Sequence, residues 1–116
     1  MRSTLEVFEN HLLLTLDWDQ IDDIEKNYSP DCVILSSYGC FIGREGVRKF
    51  AEILNEKIPE ADYLYINRMW NGEMAFLEWQ AESADSYVDD GAESFLIRNG
   101  QIISQTVHFT VRMRSF

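Results

Sequence analysis

The chain has 116 residues, a formal net charge of −10, and 46% hydrophobic and 13% aromatic residues. That length suits a single domain over residues 1–116, able to bury roughly two-thirds of the surface its unfolded form exposes, and the apolar content argues against intrinsic disorder. A pI near 4.5 with scattered basic residues argues against nucleic acid and anionic membranes as partners.

No basic-plus-apolar leader and no run of about 18 apolar residues is present, which leads to the expectation of a soluble cytoplasmic protein. Cys32 and Cys40 flank an apolar run and read as two buried thiols rather than a disulfide or a metal clip.

Ser3-x-x-Glu6 is a capping-box pattern, and Leu5, Phe8, Leu12 and Leu16 follow at helical spacing, which predicts an amphipathic helix ending near Leu16. Asp17 or Asp19 can cap a short second helix with Ile21, Ile24 and Tyr28 inward and Asp22, Asp23 and Glu25 on a solvated outer face. Ser29-Pro30-Asp31 stops that helix, and Cys32 to Leu35 reads as a short apolar strand that Phe41-Ile42 can extend into a pair. Gly43-Arg44-Glu45-Gly46 opens a third helix with Val47, Phe50, Ala51, Leu54 and Ile58 on its inner face, closed by Pro59; its glycines lack the lysine and spacing of a phosphate loop.

From Tyr63 the period changes from that of a helix to that of strands. Tyr63 to Trp70 and Met74 to about Tyr87 read as two long strands joined at Asn71-Gly72, with Asp89-Asp90-Gly91 turning the chain into a last hairpin around Asn99-Gly100. Three helices followed by an antiparallel meander give an α+β fold, with a curved sheet wrapped round the helices and one end open.

The order of these pieces, Tyr28-Ser29-Pro30-Asp31, an apolar strand, Gly43-Arg44-Glu45-Gly46-Val47, then strands ending in Asn99-Gly100-Gln101-Ile102, resembles the nuclear-transport-factor-two-like superfamily, which includes SnoaL-like polyketide cyclases and ketosteroid isomerases. The resemblance spans nearly the whole chain. It implies a cone-shaped half-barrel with a deep apolar pocket and a homodimer joined through the sheet. The position resembling the isomerases' first-helix tyrosine holds Leu12 and that of their general base holds Ser36. Neither residue can do that chemistry, so steroid isomerisation by the familiar route is disfavoured; the Asp-Arg-Asp set of the limonene epoxide hydrolases is not matched either.

The candidate chemistry lies on the last hairpin. Glu93 sits among Phe95, Ile97, Ile103, Val107 and Phe109, and a carboxyl turned into an apolar cavity has its charged form disfavoured, which suits it to proton exchange near neutrality. An uninterrupted hairpin places His108 on the face of Glu93; a single β-bulge places Gln105, Val107 and Phe109 there instead. The apolar residues favour the bulge, so Gln105 is expected inside as the group that orients a carbonyl or hydroxyl, and His108 at a dimer face. Leu12, Trp18, Tyr38, Tyr63, Trp79, Phe95, Val107 and Phe109 are expected to line the pocket. His11, a lone helix histidine, reads as structural. The expectation is a pocket for a small hydrophobic or aromatic, oxygenated molecule, with no metal or cofactor required; the competing expectation is a non-catalytic assembly module using Ser104, Thr106, His108 and Glu78.

Overall fold

The structure, a computed structural model, describes residues 1–115. Helix α1 (Thr4–Leu16) begins at the expected capping box: Ser3 Oγ accepts from the Glu6 backbone N–H at 3.1 Å, and Glu6 Oε1 accepts from the Ser3 N–H at 2.9 Å. These bonds satisfy two of the donors that a helix start leaves orphaned. The inner face of α1 carries Val7, Phe8, His11, Leu12 and Leu14, whereas Leu16, read from the sequence as inward, is exposed.

Helix α2 (Gln20–Asn27) is capped by Asp19, whose carboxylate accepts from the Asp22 N–H at 3.2 Å. Its rotation differs from expectation. Ile21 is 65% exposed while Asp23 and Asn27 are buried, because these two polar side chains find hydrogen-bond partners between the helices and are not left to pay for desolvation alone.

Strands β1 (Tyr28–Ser36) and β2 (Gly39–Ile42) form a hairpin, followed by helix α3 (Gly43–Lys57). Gly46 lets this helix lie on β2, since a Cβ there would come within 2.8 Å of the Phe41 backbone. Val47, Phe50 and Ile58 are buried as expected. Cys32 is buried on β1, but Cys40 on β2 is exposed and both thiols are free, because the short β2 at the sheet edge has no layer packed over Cys40's side.

Four further strands follow, β3 (Asp62–Asn71), β4 (Met74–Glu82), β5 (Ser86–Arg98) and β6 (Gln101–His108), with a two-residue β7 (Arg112–Met113) against the start of β5. The sheet order is β2-β1-β6-β5-β4-β3. Only β1 and β6 run parallel; the other neighbours are antiparallel. The chain is α+β, with three helices against one face of a curved, unclosed sheet.

Asn99 and Gly100 both have positive φ, 53° and 74°, as the type I′ turn expected there requires. The β3–β4 turn lies one residue later than expected. Asn71 pairs with Met74, leaving Gly72-Glu73 as the turn, with positive φ at glycine only, the type II′ pattern. The β4–β5 connection is displaced further, to Ser83-Ala84-Asp85, where the Ser83 hydroxyl donates to the Pro59 carbonyl and Ser86 Oγ to the Lys57 carbonyl at 2.9 Å. The Lys57 carbonyl is that of the last residue of α3, where intrahelical partners run out, and Pro59 lies just beyond its cap Ile58. Asp89 and Asp90 therefore stay within β5, paired with Arg112 at 3.1 Å and with the Thr110 N–H at 2.8 Å.

Three bulges bend the antiparallel strands: β3 carries an extra residue at Ile66, β5 one near Asp89-Asp90, and β6 one at Ile103. Beside the second, Gly91 faces Trp79 so closely that a Cβ would lie 2.3 Å from the indole. The missing side chain is what admits the ring. Gly91→Ala should therefore cost about 1–3 kcal/mol by overpacking, read as a lowered melting temperature by roughly 4 °C per kcal/mol; an unchanged Tm would mean that the indole moves aside freely.

Candidate functional site

Between the helices and the concave face of the sheet lies a cavity of about 330 Å³. Its walls are largely apolar: Leu12 from α1, Ile24 from α2, Ile34 from β1, Phe50 and Leu54 from α3, and Leu77 from β4. Two polar groupings enter it.

The first comes from β1, β5 and β6. Phe95 pairs with Gln105 and Glu93 with Val107, a register created by the extra Ile103. Tyr28 Oη donates to Gln105 Oε1 at 2.5 Å, and Gln105 Nε2 donates to Glu93 Oε1 at 2.6 Å. Burial pushes the Glu93 pKa above its ordinary value; His11 nearby and the hydrogen bond from Gln105 pull against that shift without cancelling it. Burial likewise holds the Tyr28, Tyr63 and Tyr65 phenols well above their ordinary pKa, with the Glu93 charge adding to the effect. These tyrosines are neutral donors at any physiological pH.

The second grouping was not expected. His11 on α1 and Asp23 on α2 are both buried, and His11 Nδ1 lies 3.0 and 2.8 Å from the two Asp23 oxygens. Read from the sequence, His11 stands alone and Asp23 faces solvent; in the structure they are partners. Asp23 Oδ1 also accepts from Asn27 Nδ2 at 2.8 Å, and Asn27 Oδ1 accepts from Arg2 Nη1 at 2.7 Å. An ionised carboxylate only accepts, so His11 Nδ1 carries the hydrogen and Nε2 is the ring nitrogen left without a protein partner among the described residues. Burial alone would depress the imidazole pKa, but the Asp23 charge and hydrogen bond outweigh it, and the net direction is upward.

One buried polar side-chain atom among the described residues has no hydrogen-bond partner within ordinary distance and angle, Trp79 Nε1. It belongs to a cavity-lining ring beside Glu93, tilted against Tyr63 with ring centres 5.5 Å apart. An unpaired buried N–H is costly, and this one is available to an oxygen in the cavity.

Of the residues expected at the site, Glu93, Gln105, Leu12, Trp18, Tyr63 and Trp79 are brought together around the cavity. Trp18 is half exposed with its indole N–H donated to the Ala61 carbonyl at 3.0 Å. Phe95, Val107 and Phe109 do not line it: they are buried in the packed core, Phe95 against Phe8 and His11, and Phe109 against Trp79. Tyr38 covers Phe109 from outside, ring centres 5.4 Å apart. His108 points outward, mostly exposed and 3.9 Å from Asp90, because the bulge sends it to the face opposite Glu93.

Sequence reasoning missed His11, Asp23 and the Tyr28 hydroxyl. A signal for one existed: His11 lies three residues from Phe8 and four from Val7, on the face that α1 buries. Asp23 had none. No Lys or Arg side chain lines the cavity, and among the described residues no group of three His, Cys, Asp or Glu could hold a metal ion. No helix is long and apolar enough to cross a membrane.

No described protein family and no curated protein matches the sequence. Solved structures do match it in shape. TerC, co-crystallised with polyporic acid, aligns with a TM-score of 0.76 at 13% identity over 92% of this chain and 91% of its own. A putative polyketide cyclase from Sinorhizobium meliloti aligns at 0.72 and 12% identity, covering 88% and 93%, and an NTF2-like protein of unknown function from Cytophaga hutchinsonii at 0.74 and 13%, covering 95% and 92%. At such identities shape alone is shared, and the helix order, the sheet order and the cavity between them give this chain the nuclear-transport-factor-two-like fold, the one also seen in SnoaL-like proteins.

Proposed function

We propose that the chain is a pocket protein for a small, uncharged, hydrophobic or aromatic molecule carrying oxygen, and that Glu93 exchanges a proton with it. The observation that carries this reading is the Tyr28–Gln105–Glu93 chain ending in a cavity of about 330 Å³ whose walls are more apolar than polar, a volume at the lower end of the range for ligand pockets. A wall with Asp23, Glu60 and Glu93 and no Lys or Arg disfavours anionic ligands. Gln105 already accepts from Tyr28 and donates to Glu93; it therefore positions the carboxyl and keeps one N–H for a ligand oxygen. The reaction class is acid/base: isomerisation, dehydration or cyclisation. Neighbours of the same fold described as a putative polyketide cyclase and as crystallised with polyporic acid lend support to it.

A second reading has its own observation. The convex face of the sheet exposes Leu64, Met69 and Met74, with Phe76 between them, beside Glu78, Ser104, Thr106 and His108. A second copy of the chain docking there would make the homodimer, and the protein would then serve assembly with the cavity unused. Met74→Lys should convert such a dimer to a monomer by sedimentation or light scattering, whereas a monomeric wild type would remove this reading.

Two measurements test the first reading. Ligand-induced thermal shifts across a panel of uncharged aromatic ketones and alcohols should give hits in the wild type, and Leu54→Trp, which fills the cavity wall, should abolish them. No hit in the wild type would sink it. The second uses pH. Because the folded-state pKa of Glu93 is raised above its unfolded value, its contribution to stability is complete below about pH 4.3 and is lost as pH rises through the folded value. Glu93→Gln should melt with the wild type at about pH 4 and above it at about pH 8; a lower melting temperature at the higher pH would show that Glu93 is not a desolvated carboxyl.

A further inference from the structure

We propose that His11, held by Asp23, is the acid of this pocket and acts opposite Glu93 as base, so that an uncharged carbonyl ligand is converted to its enol between them. The inference rests on the reading of the cavity as a ligand pocket and adds a second reacting group from a different layer of the fold.

The geometry points there in three ways. The Asp23 carboxylate is a fixed acceptor, bonded to His11 at 2.8 Å and to Asn27 at 2.8 Å. Asn27, completely buried, is in turn bonded to Arg2 at 2.7 Å and to Asn10 at 2.9 Å. This chain fixes the tautomer. His11 is also held in the plane it occupies: its ring meets Tyr28 edge-on at 5.8 Å and Phe95 at 5.3 Å. Finally, His11 lines the same cavity as Glu93, with Nε2 free of protein partners among the described residues and not fully shut from the cavity.

A buried carboxylate–imidazole pair is a poor device for stability alone, since a well-packed apolar pair of similar volume does as well or better. One with its far nitrogen at a cavity is suited to proton transfer. The groups facing His11 are Asp23 from α2, Glu93 from β5 and the neutral phenol of Tyr28 from β1. The two carboxylates both favour imidazolium, and Asp23 balances its charge within the wall.

The step then balances without any other reactant. The Glu93 carboxylate takes a proton from the carbon next to the carbonyl, and the C–H electron pair becomes the new C=C bond. The carbonyl π pair moves to oxygen, which takes the Nε2 proton. Glu93 is left as a carboxylic acid and His11 as neutral imidazole, and return of both protons resets the site. Gln105 directs an N–H at Glu93, a hydrogen bond that favours the carboxylate form that acts as base.

The test uses 2-indanone as probe, following exchange of its α-hydrogens in heavy water by proton NMR, together with a ring-nitrogen titration of His11 in the protein without probe. The wild type should accelerate exchange. His11→Gln should lose about 10²-fold or more in kcat with little change in KM, and Glu93→Gln at least as much. Asp23→Asn should move the His11 titration midpoint to lower pH and carry the alkaline limb of the exchange profile with it. If His11→Gln fails to fold, the paired shift in Asp23→Asn decides the matter. Undiminished exchange in His11→Gln, or a profile in Asp23→Asn that ignores the His11 midpoint, overturns the acid and leaves the pocket reading standing. Failure of 2-indanone to exchange while it raises the wild-type melting temperature overturns the chemistry but not the binding; failure of every ketone and alcohol to bind overturns both.

Discussion

The candidate site depends on the register of β6 against β5. Side chains alternate faces along a strand, so one added residue transfers everything beyond it to the opposite side. Ile103 is that residue. With it, Gln105 and Val107 share a face with Glu93, and Ser104, Thr106 and His108 face outward. Without it, a carboxyl would look into the cone beside a threonine and a histidine, while Val107 and Phe109 would be turned to water. The apolar side chains select the bulged register because their burial is worth roughly 1.5–3 kcal/mol each, more than one disrupted ladder hydrogen bond is worth. The polar constellation is thus set by hydrophobic burial. Gln105 comes to Glu93 because Val107 and Phe109 must come to the core.

Polar groups inside such a cone have to be paired, and both polar groupings show how. Tyr28, Gln105 and Glu93 connect a helix–strand junction to the last hairpin. Arg2, Asn27, Asp23 and His11 connect the chain's beginning to the cavity, and Arg2 also donates to the Gly100 carbonyl at 3.0 Å, so the same guanidinium holds the β5–β6 turn. Each chain uses nearly every donor and acceptor along its length and stops at the cavity wall. The termini that remain, a carboxyl, an imidazole nitrogen and an indole N–H, differ in what they offer to a ligand. In a low-dielectric space they act on each other and on any guest more strongly than they would in water.

Much of this architecture was legible before any tertiary contact was known. The capping box at Ser3 and Glu6, the buried stripe of α3 and the Asn99-Gly100 turn act within a few residues of themselves, and local backbone energetics are enough to place them. The order of helices and strands followed, and with it the fold. Even the shared face of Glu93 and Gln105 could be inferred, by weighing which of two registers buried more apolar surface. Where local signals competed, the reading failed. Asp89-Asp90-Gly91 has the composition of a turn, yet Gly91 is there to admit the Trp79 ring and the aspartates are satisfied by Thr110 and Arg112 from a distant segment.

What the sequence determined by itself was therefore the secondary structure, its order and the character of the inner surface: an apolar sheet face with one carboxyl and one amide in it. Tertiary structure alone decided the rest. It paired His11 with Asp23 across two helices, since neither helix has a pattern that names its partner. It divided the aromatic residues between core and cavity, leaving Trp79 and Tyr63 on the wall and taking Phe95 and Phe109 into the packing. The reason is that helices and turns follow from interactions between near neighbours in the chain, while a cavity is the volume left over when every element has packed, and no single segment contains that difference.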